Sequence, residues 1–101
     1  MASSEEYLEY VLDLLAEVPL VTRKKMMGEY MLYSRGVLFG GIYDDRFLLK
    51  DVPAARKEFP QEEIPYDGSK PMLLVDSEDP IRIATTIEEM MPQLPQPKKK
   101  R

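Results

Sequence analysis

Residues 23–50 read RKKMMGEYMLYSRGVLFGGIYDDRFLLK, and the fold turns on how this stretch divides. Segments 29–34, 37–43 and 46–50 are rich in Tyr, Phe, Leu, Val and Ile, which suit a pleated, half-buried surface. Arg35-Gly36 and Asp44-Asp45 separate them and suit two-residue hairpin loops. Such loops predict the register. Tyr33 faces Leu38, Leu32 faces Phe39, Met31 faces Gly40 and Tyr30 faces Gly41. Across the next turn Ile42 faces Phe47, Gly41 faces Leu48 and Gly40 faces Leu49. Opposed residues share a face and alternate residues switch faces. One face then holds Met31, Tyr33, Leu38, Gly40, Ile42, Phe47 and Leu49, and is expected to pack on helices. The other holds Tyr30, Leu32, Val37, Phe39, Gly41, Tyr43, Arg46, Leu48 and Lys50. A slip of one residue would invert this assignment.

Helical signals lie on either side of the meander. Ser3 and Glu6 have capping-box spacing, and Leu8, Val11, Leu12, Leu15 and Val18 recur as one apolar stripe. A first helix over about residues 4–17 follows, closed by Pro19. Asp51-Val52-Pro53 reads as a cap and an early-helix proline opening a short helix through Phe59. Residues 60–70 read as a loop broken by Pro60, Pro65 and Gly68, with Ile64-Pro65-Tyr66 a candidate edge strand. Residues 72–75 read as a short buried strand. Ser77 or Asp79 then caps a last helix from near Pro80, with Ile83, Ala84, Ile87 and Met90 or Met91 inward, ending at Pro92. The expected fold is α+β in two layers: an antiparallel sheet with helices packed on one face, in the order α-β(3)-α-β(2)-α.

Composition narrows the chemistry. At 101 residues and 44% hydrophobic, the chain has the size and apolar content of one domain with a real core. Residues 1–92 are expected to form it, and residues 93–101 to be a disordered basic tail. Cysteine and histidine are both absent. That removes disulfides, structural zinc and the usual Cys–His and Ser–His–Asp nucleophilic sites. Acid–base chemistry would fall to Asp, Glu, Lys or Tyr, and no spacing of these suggests a reaction, a metal site or a cofactor. No apolar run approaches the roughly 18–20 residues that span a bilayer. The opening Met-Ala-Ser-Ser-Glu-Glu is acidic where a secretory signal is basic, so a cytoplasmic, membrane-free location is expected. The net charge of −4 conceals an asymmetry. Without Lys98, Lys99, Lys100 and Arg101, ten positive residues stand against eighteen negative, and the body carries −8. Such a body repels phosphate backbones unless its cations gather on one face.

Arg23-Lys24-Lys25-Met26-Met27-Gly28-Glu29-Tyr30, with Leu32-Tyr33 and Gly36 after it, resembles the N-terminal domain of the TfoX (Sxy) competence-regulator family. That pattern has a basic pair, Met-Phe-Gly, an acidic or small residue and Tyr. After a hairpin Gly it continues with an aromatic, small residues, an acidic turn and a strand ending in Lys. Met26, Gly28, Tyr30, Tyr33, Gly36, Phe39, Gly40, Asp44, Asp45, Leu48 and Lys50 occupy the matching positions, and Met27 replaces the usual aromatic. The resemblance implies a secretion-chaperone-like α+β fold and a link to DNA-uptake regulation. It carries over no catalytic residue.

The residues with functional promise admit more than one reading. Arg23, Lys24 and Lys25 would suit phosphate, or would be a solvated turn, the usual fate of a charge run. Tyr30, Phe39 and Tyr43 beside Arg46 and Lys50 would make a stacking platform for single-stranded nucleic acid. They would equally make a protein interface, where aromatics and Arg are enriched. Gly40-Gly41 reads as room for Met31 and Tyr30 across the ladder. Asp44-Asp45 reads as a turn former rather than a cation site. The favoured function is a non-enzymatic regulatory or protein-interaction domain, with an unidentified protein partner. The alternative is a nucleic-acid-binding module using the basic and aromatic sheet face and the basic tail. A patch of exposed Tyr30, Phe39, Tyr43 and Leu48 would need a cover, for which a two-fold homodimer is the expected solution.

Overall fold

The computed structural model of the chain describes residues 3–96. Its elements run α1 (Glu5–Leu14), β1 (Val21–Met26), β2 (Glu29–Ser34), β3 (Val37–Ile42), β4 (Phe47–Leu49), α2 (Pro53–Glu58), β5 (Glu62–Glu63), β6 (Met72–Leu74) and α3 (Pro80–Met90). A 3-10 turn, Met91–Gln93, follows. The strands form one antiparallel sheet in the order β1-β2-β3-β4-β6-β5. The fold is α+β, with the apolar faces of all three helices in one core against one side of the sheet. Four strands precede α2, one more than expected. The extra one is β1, whose polar run Thr22-Arg23-Lys24-Lys25 conceals a strand with no buried residue.

Tight turns set the hairpins. Met27 and Gly28 both have positive φ (53° and 83°), as do Arg35 and Gly36 (53° and 79°) and Asp44 and Asp45 (52° and 55°). Two successive left-handed residues match the right-handed twist of the flanking strands. Only glycine adopts this region without steric cost. At Arg35-Gly36 and Asp44-Asp45 the turns are the expected ones. Across Asp44-Asp45, Ile42 pairs with Phe47, Gly41 with Leu48 and Gly40 with Leu49, as the two-residue loop requires.

Between β2 and β3 the register departs from a regular ladder. Ser34 pairs with Val37 and Tyr33 with Leu38, but then Leu32 pairs with Gly40, Met31 with Gly41 and Tyr30 with Ile42. Phe39 is the extra residue of a β-bulge. The one-residue shift turns Tyr30 and Leu32 onto the helix side and leaves Met31 and Tyr33 on the other. Close strand approach explains why glycine follows Phe39. A Cβ on Gly40 would lie 2.3 Å from the Leu48 carbonyl oxygen, and one on Gly41 would lie 2.6 Å from that of Tyr30.

The core therefore joins Tyr30, Leu32, Val37, Phe39, Ile42, Phe47, Leu49 and Leu73 of the sheet to Leu8, Val11 and Leu14 of α1. Ala54, Ala55 and Phe59 from α2 and its end, and Ile83, Ile87 and Met90 from α3, complete it. Full burial of each large apolar side chain stabilises by about 1.5–3 kcal/mol. Ala84 is half-buried at the margin.

The helix starts differ in detail from their expected caps. Ser4, not Ser3, caps α1, its hydroxyl accepting from the Tyr7 amide. Ser3 is buried and ties two hairpins together. Its Oγ donates to Glu29 Oε1 at 2.7 Å and accepts from the Asp45 amide at 3.1 Å. Asp51 gives α2 no side-chain cap and instead holds Arg56. Asp79 caps α3 by accepting from the Ile81 and Arg82 amides. The packed body also extends beyond residue 92. Gln93 Oε1 accepts from the Ala54 amide at the start of α2, and Leu94 is buried in the core. Of the tail expected to be disordered over residues 93–101, residues 97–101 lie outside the described residues.

Candidate functional site

The bulge redistributes the residues expected to form one basic and aromatic surface. Tyr30 and Phe39 are 4% and 0% exposed and belong to the helix-side core. They cannot stack a base or meet a partner, and they need no second copy of the chain to cover them. A Phe39→Glu substitution would therefore place a carboxylate in the core itself rather than at an interface between copies. Arg23, Lys24 and Lys25 do not cluster on one surface either. They alternate along the edge strand, with Arg23 opposite Leu32 and Lys25 opposite Tyr30 on the helix side, and Lys24 opposite Met31 on the other. Arg23 and Lys25 face a cleft shared with Glu5, Glu6 and Glu9 of α1. There the Lys25 ammonium lies 5.9 Å from the centroid of the Tyr30 ring.

Arg46 is occupied structurally. Its Nη1 pairs with Glu63 Oε1 at 3.0 Å, Nε donates to the Tyr43 carbonyl, and Nη2 donates to the carbonyls of Ile64 and Pro65. A planar fork with several donors suits this clamp better than an ammonium would. Hydrogen bonds from Gln61 and then from Arg46 hold the Glu63 carboxyl below the ordinary range. The clamp fixes the chain after β5 over the sheet and brings Tyr66 to Tyr43, ring centroids 6.2 Å apart and tilted by 50°. Burial, then Tyr66 and Glu29, raises the Tyr43 phenol above its usual pKa, so it stays neutral and able to donate.

What remains on the helix-free side is a surface that the sequence reading did not assemble. Met31, Leu38, Tyr43 and Met72 are half-buried, and Tyr66 is 62% exposed. With Lys50 and Lys70 they line a hollow of about 610 Å³. A second hollow of about 440 Å³ adjoins it, sharing Met31, Tyr43 and Tyr66 and adding Met26, Met27 and Glu29. Met27 is 96% exposed at a positive φ. A large apolar side chain there gains nothing from burial and accepts backbone strain of about 1–2 kcal/mol. Continuous apolar surface of this kind marks interaction sites, and methionine-rich surfaces adapt to their partners. Of the expected residues, Tyr43 and Lys50 lie on it and Lys24 borders it. Met27, Met31, Tyr66, Lys70 and Met72 were missed. Met27-Gly28 carried a legible signal, a Gly-containing dipeptide between alternating segments.

Among the described residues, no three Asp or Glu side chains group to hold a metal ion. No helix among them is long and apolar enough to cross a membrane.

The family model described as the TfoX N-terminal domain matches residues 13–86, from the end of α1 through most of α3. The chain belongs to the TfoX N-terminal domain family. The match takes in the whole sheet, and with it every residue lining the two hollows on the helix-free face. An uncharacterised 12.7 kDa protein in the trpE 5′ region of Spirochaeta aurantia is 33% identical over 102 residues, covering 97% of this chain and 89% of the relative. Membership in the TfoX N-terminal domain family suggests a regulatory role.

Proposed function

We propose that this chain is a cytoplasmic, non-enzymatic regulatory domain that works by binding another protein through the helix-free face of its sheet, in keeping with a role in competence regulation. The observation that carries the reading is the apolar surface of exposed Met27 and Tyr66 and half-buried Met31, Leu38, Tyr43 and Met72 on one side of a sheet whose other side is closed by helices. Exposed apolar side chains that the fold itself does not use are the usual anchors of a protein contact. The nucleic-acid alternative loses most of its residues. Tyr30 and Phe39 are buried, Arg46 is clamped, and Arg23 and Lys25 face α1.

Capture of proteins from a host extract tests this. The unmodified chain is compared with the Met27→Asp/Tyr66→Asp variant, which alters two exposed positions, and with a Glu9→Lys control on α1. The partners retained by the unmodified chain and by Glu9→Lys are expected to be lost by the double variant. Identical capture by the double variant overturns the assignment of the face.

A further inference from the structure

We propose that the helix-free face is a docking groove for an acidic amphipathic helix of a partner protein; this rests on the reading of that face as the contact surface. Two observations select the occupant, namely the state of the backbone beneath the groove and the distribution of charge around it. The groove lies over β2, β3, β4 and β6, and each of these strands is paired on both sides. Their backbone donors and acceptors are used in the ladder, so an added strand has no edge to join there. Only side-chain contact is left. An amphipathic helix meets that condition, presenting apolar anchors at i, i+3 or i+4, and i+7.

Charge decides the sign of the partner. The chain is acidic as a whole, and Glu5, Glu6, Glu9 and Asp13 on α1 and Glu88 and Glu89 on α3 are exposed on the helix side. The groove reverses this. Lys50 and Lys70 line it, and Lys24 lies beside Met31 at its border. Among the described residues the ion pairs all employ arginine, and none of these lysines has a carboxylate within pairing distance. Of the acids that line the groove or adjoin it, Asp51 is held by Arg56, Glu63 pairs with Arg46, and Glu29 Oε1 accepts from Ser3 and from the Asp44 amide. Three unpaired ammonium groups around an apolar floor complement a helix whose apolar stripe is flanked by Asp and Glu. A second copy laid face to face would instead bring lysines together. A nucleic-acid strand would find aliphatic Met and Leu where it needs stacking planes, and two tyrosines tilted by 50° to one another.

The test uses the full chain with 13C-labelled methionine methyl groups. The probes are two helical peptides of about 15–18 residues with the same Leu/Phe stripe, one flanked by Glu and the other by Lys. The acidic peptide is expected to shift the Met27, Met31 and Met72 methyl signals while leaving Met90 and Met91, which pack with the helices, unmoved. Lys50→Glu/Lys70→Glu is expected to weaken it by about tenfold or more at low salt, and the Lys-flanked peptide not to bind the unmodified chain. Equal binding of the two peptides, binding of neither, or shifts confined to Met90 and Met91 overturns the proposal. So does a single-stranded oligonucleotide that moves the groove methyls in place of the acidic peptide, or movement with protein concentration alone, which would mark a second copy as the occupant. If host-protein capture depends on Met27 and Tyr66 while the acidic peptide neither binds nor competes, the contact face stands and only this choice of occupant fails. If capture ignores that pair, the underlying reading fails first.

Discussion

Replacing Phe39 by alanine separates the bulged register from a regular ladder. In the structure Phe39 is fully buried within the single core, and truncation of such a ring costs about 3–5 kcal/mol in lost transfer energy and residual cavity. A domain of this size is stable by about 5–15 kcal/mol, so a large part of the total is at stake. Tyr33 provides the contrast. It is half-buried on the opposite face, and Tyr33→Ala is expected to cost about 1 kcal/mol, the usual size for a partly exposed side chain. A regular ladder reverses the two, placing Tyr33 against the helices and Phe39 outside. Urea unfolding followed by far-UV circular dichroism reads both. With slopes of about 1–3 kcal/mol/M, the Phe39→Ala midpoint is expected to fall by at least about 0.7 M more than that of Tyr33→Ala. A Tyr33→Ala midpoint as low as that of Phe39→Ala, at unchanged slope, would refute the bulge and the two faces built on it.

Gly40→Ala is expected to destabilise by at least about 2 kcal/mol in the same assay, because its Cβ would meet the Leu48 carbonyl oxygen at 2.3 Å and the backbone must move; an unchanged midpoint would contradict the close strand approach. Arg46→Ala is expected to speed hydrogen exchange in residues 62–66 while leaving β2 and β3 protected, since the guanidinium holds that segment through Glu63, Ile64 and Pro65. Acid stability tests the Asp51–Arg56 pair. Hydrogen bonding from Arg56 lowers the Asp51 pKa from 3.8, so its contribution is present above about pH 4 and is lost as pH falls through the depressed value. The pair is substantially exposed, which keeps that contribution small. Asp51→Asn is accordingly expected to flatten the acid limb of a thermal-melting profile slightly and leave the alkaline limb unchanged.

The parts of the fold legible in the sequence were those set by local rules. The α1 stripe, the Arg35-Gly36 and Asp44-Asp45 turns, the β3–β4 register and the inward set Ile83, Ile87 and Met90 each follow from spacing within a few residues. The β2–β3 register did not follow, because a bulge adds a residue without changing either turn. Gly40-Gly41 hinted at it, since glycines within a strand permit both bulges and close backbone approach. The hint does not say which residue is the extra one. β1 was hidden for a different reason. An edge strand exposed to water need show no apolar alternation, and lysines are well suited to such an edge. The candidate surface was least legible, because Tyr66 and Met72 reach Met31 and Tyr43 only through the fold and the Arg46 clamp. Arg46, expected beside an aromatic platform or interface, is committed instead to four acceptors from Tyr43, Glu63, Ile64 and Pro65, three of them at least 17 residues away.

The helix-free face as contact surface is tested most directly by photo-crosslinking in host cells. The photoreactive residue p-benzoylphenylalanine is placed at Tyr66 on that face or at Tyr10 on α1, two tyrosines that are both exposed, at 62% and 41%. Adducts of higher mass from the Tyr66 position, with none from Tyr10, are the predicted result. Adducts from Tyr10 with none from Tyr66 would contradict the account.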